Sequence, residues 1–179
     1  VVAHWGDRRS RADMDREIER QAKLLGLEVP HLIQDSGFDT LFRMPDGYTD
    51  AEIDADIMEV GVRIAREALE LRGWKPEEVD HLRFGNSVGK GDVARELAVK
   101  LRTVNAKTSN AYLACNSAGH PLAESLQDEA SLGGKTLLVV VDALPRLLRD
   151  PQKTDSDSIQ LFSNGAAALA YQPGVDLEY

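Results

Sequence analysis

A single cysteine stands in 179 residues, so no disulfide can form within the chain, and a lone thiol fits a reducing compartment. No apolar run approaches the roughly 18 residues that a membrane-spanning helix needs. Basic residues are in deficit: 21 Lys and Arg against 30 Asp and Glu leave a net charge of −9. The broad basic footprint of a phosphate-tracking nucleic-acid binder is therefore missing. The opening Val1-Val2-Ala3-His4-Trp5 shows no charged segment followed by an apolar one, so no signal peptide is expected there and the cytoplasm is the expected location. No internal repeat and no low-complexity tract is visible. What is present, 42% hydrophobic and 28% charged residues, is the composition of a chain that buries a core rather than one that stays disordered.

The clearest helical signal begins at Thr49. It stands three residues before Glu52, the spacing of a capping box, and Asp50, Glu52, Asp54 and Asp56 suit the positive end of a helix dipole. Ile53, Ile57, Val60, Ile64, Ala68 and Leu71 form one apolar stripe, and Gly73 closes it. Upstream, Ile18, Ala22 and Leu25 predict a helix within residues 10–25, and the stretch from Ser36 to Gly47 reads as loop and turn. Downstream, the pattern predicts a strand over 81–84, a Gly-rich loop over 85–91, a helix over 93–102, a strand over 109–114 and a helix over 116–132. A strand follows over 136–141, a near-continuous apolar run that suggests burial on both faces. Two last strands, 158–162 and 166–171, flank Ser163-Asn164-Gly165 as a hairpin. Strands alternating with helices imply an α/β fold with a mixed, largely parallel sheet and helices on both faces. The Gly-rich loop lacks the phosphate-binding spacing, because Lys90 is followed by Gly91, and reads as a turn.

Cys115 lies between an apolar strand and a helix, at or just before the helix start. Unpaired N–H groups and the helix dipole there favour the thiolate, the form that attacks a carbonyl carbon. By position alone a small buried hydrophobe remains the alternative. His120 falls five positions on, within the helix, and reads as a surface or interface histidine. His4, His31 and His81 form no ligand pattern, so no metal site is expected.

The segment Tyr112-Leu113-Ala114-Cys115-Asn116-Ser117 resembles the nucleophile segment of the β-ketoacyl-ACP synthase III group of condensing enzymes, in the thiolase-like superfamily. Other landmarks fall in the family's order over residues 31–171: Ser36-Gly37-Phe38, the Lys-Pro-Glu-Glu-Val-Asp turn from Lys75, Leu144-Pro145-Arg146, and Leu161 to Ala168 as the late glycine turn. The resemblance implies a thiolase-like half-fold and an acyltransferase of fatty-acid or polyketide type. Cys115 would accept an acyl group from a CoA or acyl-carrier-protein phosphopantetheine thioester, with no tightly bound cofactor, and its backbone N–H would be one oxyanion donor. A decarboxylating malonyl unit would then form the carbon–carbon bond. Arg146 would match an arginine near the CoA entrance; by itself it reads equally as a solvated residue of a charged linker.

The family's histidine and asparagine lie in the second half of a chain about twice this long. The resemblance therefore implies one N-terminal half-domain over residues 1–179, with 1–35 its least defined segment. The missing C-terminal half would come from another segment or chain, and the assembly would be a dimer. The absence of an initial methionine adds to the expectation of a fragment. Several positions depart from the family's pattern. His31 and Asp35 stand where CoA-using relatives have a tryptophan and an arginine, Ser117 stands for a glycine, and Ser163-Asn164 for Gly-Asp. Alternatives are a related starter-unit acyltransferase, a 3-hydroxy-3-methylglutaryl-CoA synthase-like enzyme, or a non-catalytic assembly subunit of the same fold.

Overall fold

The computed structural model describes residues 1–25, 40–44, 47–89, 91–129, 131–143 and 163–176. Along the chain these form β1 (Val2–Ala3), β2 (Asp7–Ser10), α1 (Arg11–Leu25), β3 (Thr40–Arg43), α2 (Asp50–Arg72), β4 (His81–Gly85), α3 (Val93–Leu101), β5 (Lys107–Ala111), α4 (Gly119–Gln127), β6 (Thr136–Ala143) and β7 (Asn164–Tyr171). Five strands make one mixed sheet in the order β1-β7-β6-β4-β5. β4 runs parallel to both β5 and β6, whereas β7 is antiparallel to β6 and to β1. The remaining two strands, β2 and β3, pair antiparallel on their own.

Connection handedness dictates where the helices lie. The chain leaves β4, passes through α3 and enters β5 beside it; it then leaves β5, passes through α4 and crosses back over β4 to β6. Both are parallel crossovers, which are right-handed, and they run in opposite directions, so the two helices must cover opposite faces. Packing agrees. Leu82 and Phe84, then Leu137, Val139 and Val141, then Ala166 and Ala168, point into one core with Ile53, Ile57 and Ile64 of α2 and Leu97 and Leu101 of α3. Each fully buried aliphatic side chain there contributes about 1.5–3 kcal/mol. The alternate residues, Arg83 on β4 and Tyr171 on β7, meet α4 on the other face through Glu124 and Ser125.

α2 carries the expected capping box: Glu52 N–H donates to Thr49 Oγ1 and the Thr49 N–H donates to Glu52. Its stripe holds except at the end, where Leu71 is 75% exposed and Leu69 is buried instead. The helix crosses a twisted sheet, so its line of contact rotates along its 23 residues. Three further expectations are corrected. Residues 40–43 form a strand, not loop, because β2 supplies a hydrogen-bonding edge that the sequence does not advertise. Asn164-Gly165 lies inside β7, opposite Ala143 and Asp142, rather than at a turn. The Asn164 amide is buried there and donates to the Trp5 carbonyl at 3.3 Å. The helix after Cys115 is shorter at both ends than the predicted 116–132, and Asp128 turns extended to close it. The proposed strand over 158–162 lies outside the described residues.

Candidate active site

In a sheet where neighbouring strands send their helices to opposite faces, the loops at their C-terminal ends diverge and leave a crevice. Here those strands are β4 and β5, and the loops are 86–92 and 112–118. Cys115 lies in the second loop, at the centre of a one-turn 3-10 helix, Ala114–Asn116. α4 starts four positions later, at Gly119. The dipole term, which fades within a turn, is accordingly weaker than the sequence suggested, and the local N–H groups of the tight turn matter more.

The turn is held from three sides. Below it, Gly85 ends β4 so close to the Ser117 carbonyl that a Cβ on Gly85 would sit 2.1 Å from that oxygen. Within it, Ser117 is buried; its Oγ donates to the Ala114 carbonyl at 2.8 Å and accepts the Leu113 N–H at 3.2 Å. Ser117 thus closes the turn on itself. Beside it, the Ser87 hydroxyl lies 2.9 Å from the Ala114 carbonyl oxygen and 2.9 Å from Asp142 Oδ2, while the Ser87 N–H donates to Asp142 Oδ1 at 2.6 Å. Ala114 itself has φ +49°, a left-handed conformation that a non-glycine residue adopts only when its surroundings enforce it. Burial pushes the Asp142 carboxyl above its ordinary range, and the Ser87 bonds pull it part of the way back.

The neighbouring loop is equally fixed. Asn86, buried at the end of β4, donates to the Val141 carbonyl at 2.5 Å and accepts the Val88 N–H at 2.7 Å. The Tyr112 ring fills the space a Cβ on Gly89 would need, and its hydroxyl donates to the Gly91 carbonyl at 2.9 Å. Burial raises the Tyr112 hydroxyl above its ordinary range. The Gly-rich loop is therefore a turn packed on the strand ends. A groove of about 1320 Å³ runs along α2 past this loop, floored by Ile57, Phe84, Val88 and Tyr112.

Of the sequence-predicted residues, Cys115 has its backbone in the 112–118 loop that borders the crevice. Arg146 lies outside the described residues, as do His31 and Asp35. His120 is 46% exposed at its side chain and sits 3.2 Å from Glu124 in a surface pair. His4 stacks on Phe42 at a ring separation of 4.8 Å, and His81 is buried in β4. Among the described residues no group of three His, Cys, Asp or Glu side chains is placed to hold a metal, and no helix is long and apolar enough to cross a membrane. The sequence placed Gly85 and Ser87 in the Gly-rich loop and Asp142 just past a strand, without connecting any of them to the cysteine turn. Asp142 left one signal, an acid ending an otherwise apolar strand.

Known structures share this fold. A 3-oxoacyl-[acyl-carrier-protein] synthase III from Aquifex aeolicus superposes with a TM-score of 0.71 at 16% identity, over 98% of this chain and 52% of its own. The same enzyme from Pseudomonas aeruginosa gives a TM-score of 0.68 at 22% identity, over 97% of this chain and 48% of its own. The fold is thiolase-like. A priming β-ketosynthase of a polyketide pathway aligns over 99% of this chain and 49% of its own, with a TM-score of 0.70 and 20% identity. The chain thus spans about half the length of each of these condensing enzymes. No protein-family model matches the sequence, and no curated protein matches it.

Proposed function

We propose that this chain is the cysteine-bearing half of a thioester condensing enzyme of the β-ketoacyl-ACP synthase III type, with Cys115 as the acyl carrier. The carrying observation is the place of Cys115 in a thiolase-like fold, on a tight, multiply hydrogen-bonded turn at the crevice between β4 and β5. The Cys115 thiolate attacks the carbonyl carbon of an acyl-CoA or acyl-carrier-protein thioester. Its sulfur–carbon bond forms as the bond to the carrier sulfur breaks, and the carrier leaves as a thiolate that takes up a proton. A malonyl thioester then loses carbon dioxide; the electron pair left behind attacks the acyl carbon, and Cys115 is released as a thiolate. The Cys115 N–H is proposed as one donor to the oxyanion formed in each attack.

Decarboxylation needs groups that the described residues do not bring to the crevice, and a second half of similar fold is proposed to supply them. The face it would cover carries Val2, Leu113 and Leu169, which are 78%, 43% and 43% exposed, together with the outer side of α4. Arg146 is retained as a proposed contact for the CoA phosphates.

Intact-protein mass spectrometry tests the reading, with a panel of acyl-CoA and acyl-carrier-protein thioesters and the second half present. An acyl adduct that disappears in Cys115→Ala supports it. No adduct from any thioester would overturn it and leave an assembly subunit of the same fold as the better account.

A further inference from the structure

The hydrogen-bond pattern beside the cysteine turn gives every contact its own proton only if Asp142 is protonated. Ser87 has one hydroxyl proton, yet its Oγ lies 2.9 Å from two oxygens, the Ala114 carbonyl and Asp142 Oδ2. With a carboxylate at Asp142 both neighbours are acceptors, and one proton has to be shared between them in a weaker three-centre bond. A proton on Asp142 Oδ2 resolves this: Asp142 donates to Ser87 Oγ, and Ser87 donates to the Ala114 carbonyl. Oδ1 meanwhile still accepts the Ser87 N–H at 2.6 Å.

We infer that Asp142 is held as a neutral acid and acts through Ser87 as a positioning residue for the backbone of Cys115. The inference rests on the proposed role of Cys115. The Ala114 carbonyl and the Cys115 N–H belong to one planar trans peptide unit, so fixing the carbonyl direction fixes the N–H in the opposite direction. That carbonyl accepts from Ser117 N–H at 3.2 Å, from Ser117 Oγ at 2.8 Å and from Ser87. Donors to a carbonyl also polarise its peptide, which strengthens the N–H as a donor. Among the described residues, those set against the carboxyl are β7 at Gly165, the loop 86–89 and the turn 114–117. They bring no charged side chain to it; the one titratable residue among them is Cys115. Burial, not a neighbouring charge, is what favours the protonated carboxyl.

When Asp142 ionises, the Ser87 hydroxyl turns to the carboxylate and the Ala114 carbonyl loses a donor. Acyl transfer should then decline with rising pH even as the thiolate fraction of Cys115 grows. The test uses the chain with its second half present and compares two reactions of Cys115. Acylation by an acyl thioester passes through an oxyanion; alkylation by iodoacetamide displaces iodide at carbon and forms none. Ser87→Ala and Asp142→Leu are expected to slow acylation about 10-fold while leaving alkylation within about twofold of wild type. Ser87→Thr and Asp142→Asn should rescue, because the asparagine amide donates to Ser87 Oγ at every pH, and Asp142→Asn should abolish the high-pH decline. The inference is overturned if Asp142→Asn is as slow as Asp142→Leu. It is also overturned if Ser87→Ala slows alkylation as much as acylation, or slows neither. A wild-type chain that takes no acyl group overturns the proposed function itself, which separates the two failures.

Discussion

Gly85 shows how one residue governs the cysteine turn. Its missing Cβ is the space in which the Ser117 carbonyl sits, and the neighbour that would have to move is backbone rather than a flexible side chain. Gly85→Ala is therefore expected to destabilise the chain by about 1–3 kcal/mol, read as a lower urea midpoint, and to change the rate of Cys115 alkylation because the turn is displaced. Asn86 belongs to the same group of fixed residues: Asn86→Ala leaves the Val141 carbonyl and the Val88 N–H without their side-chain partner and should cost about 1–3 kcal/mol in the same measurement. Cys115 was legible in the sequence because a lone cysteine between a strand and a helix is a local pattern. Ser87 and Asp142 were not, since they are 55 residues apart and meet only when β4 and β6 pair.

Helix ends, unlike sheet contacts, are local and are written in the sequence. The capping box of α2 was legible from Thr49 and Glu52; Thr49→Ala should lower stability by about 1 kcal/mol in urea denaturation. α1 has a counterpart that the sequence reading passed over. Ser10 N–H and Oγ donate to the Asp13 carboxylate at 2.9 Å and 2.6 Å, and the Asp13 N–H donates back to Ser10 Oγ. These bonds, with Arg16 adding to them, lower the Asp13 carboxyl from 3.8 to about 2. Because the folded value is depressed, the contribution of Asp13 is complete above its ordinary range and is lost as pH falls through about 2. An NMR titration should place the Asp13 midpoint there, and Ser10→Ala should move it upward. Strands were less legible than helices for a physical reason. Thr40–Arg43 becomes β3 because Asp7–Ser10 pairs with it, and nothing within four residues of sequence encodes that partner.

At the scale of the molecule, two facing positions on the α4 side of the sheet, Leu138 on β6 and Leu169 on β7, make different predictions. Leu138 is 5% exposed, and Leu138→Ala should cost about 2–5 kcal/mol in the chain alone. Leu169, 43% exposed, should tolerate Leu169→Asp within about 0.5 kcal/mol, yet that variant should fail to co-elute with the second half on size exclusion. By itself the sequence determined the alternation of helices and strands, the central apolar strand, the α2 cap and the lone cysteine at a strand end, because propensity, periodicity and capping act over a few residues. The tertiary structure alone decided the strand order, the opposite faces of α3 and α4, and hence the crevice. It also decided that Asp142 meets Ser87 and that the Ser87 hydroxyl meets the Ala114 carbonyl beside Cys115. Those outcomes depend on which distant backbones pair and how closely they approach, and no local preference carries that information.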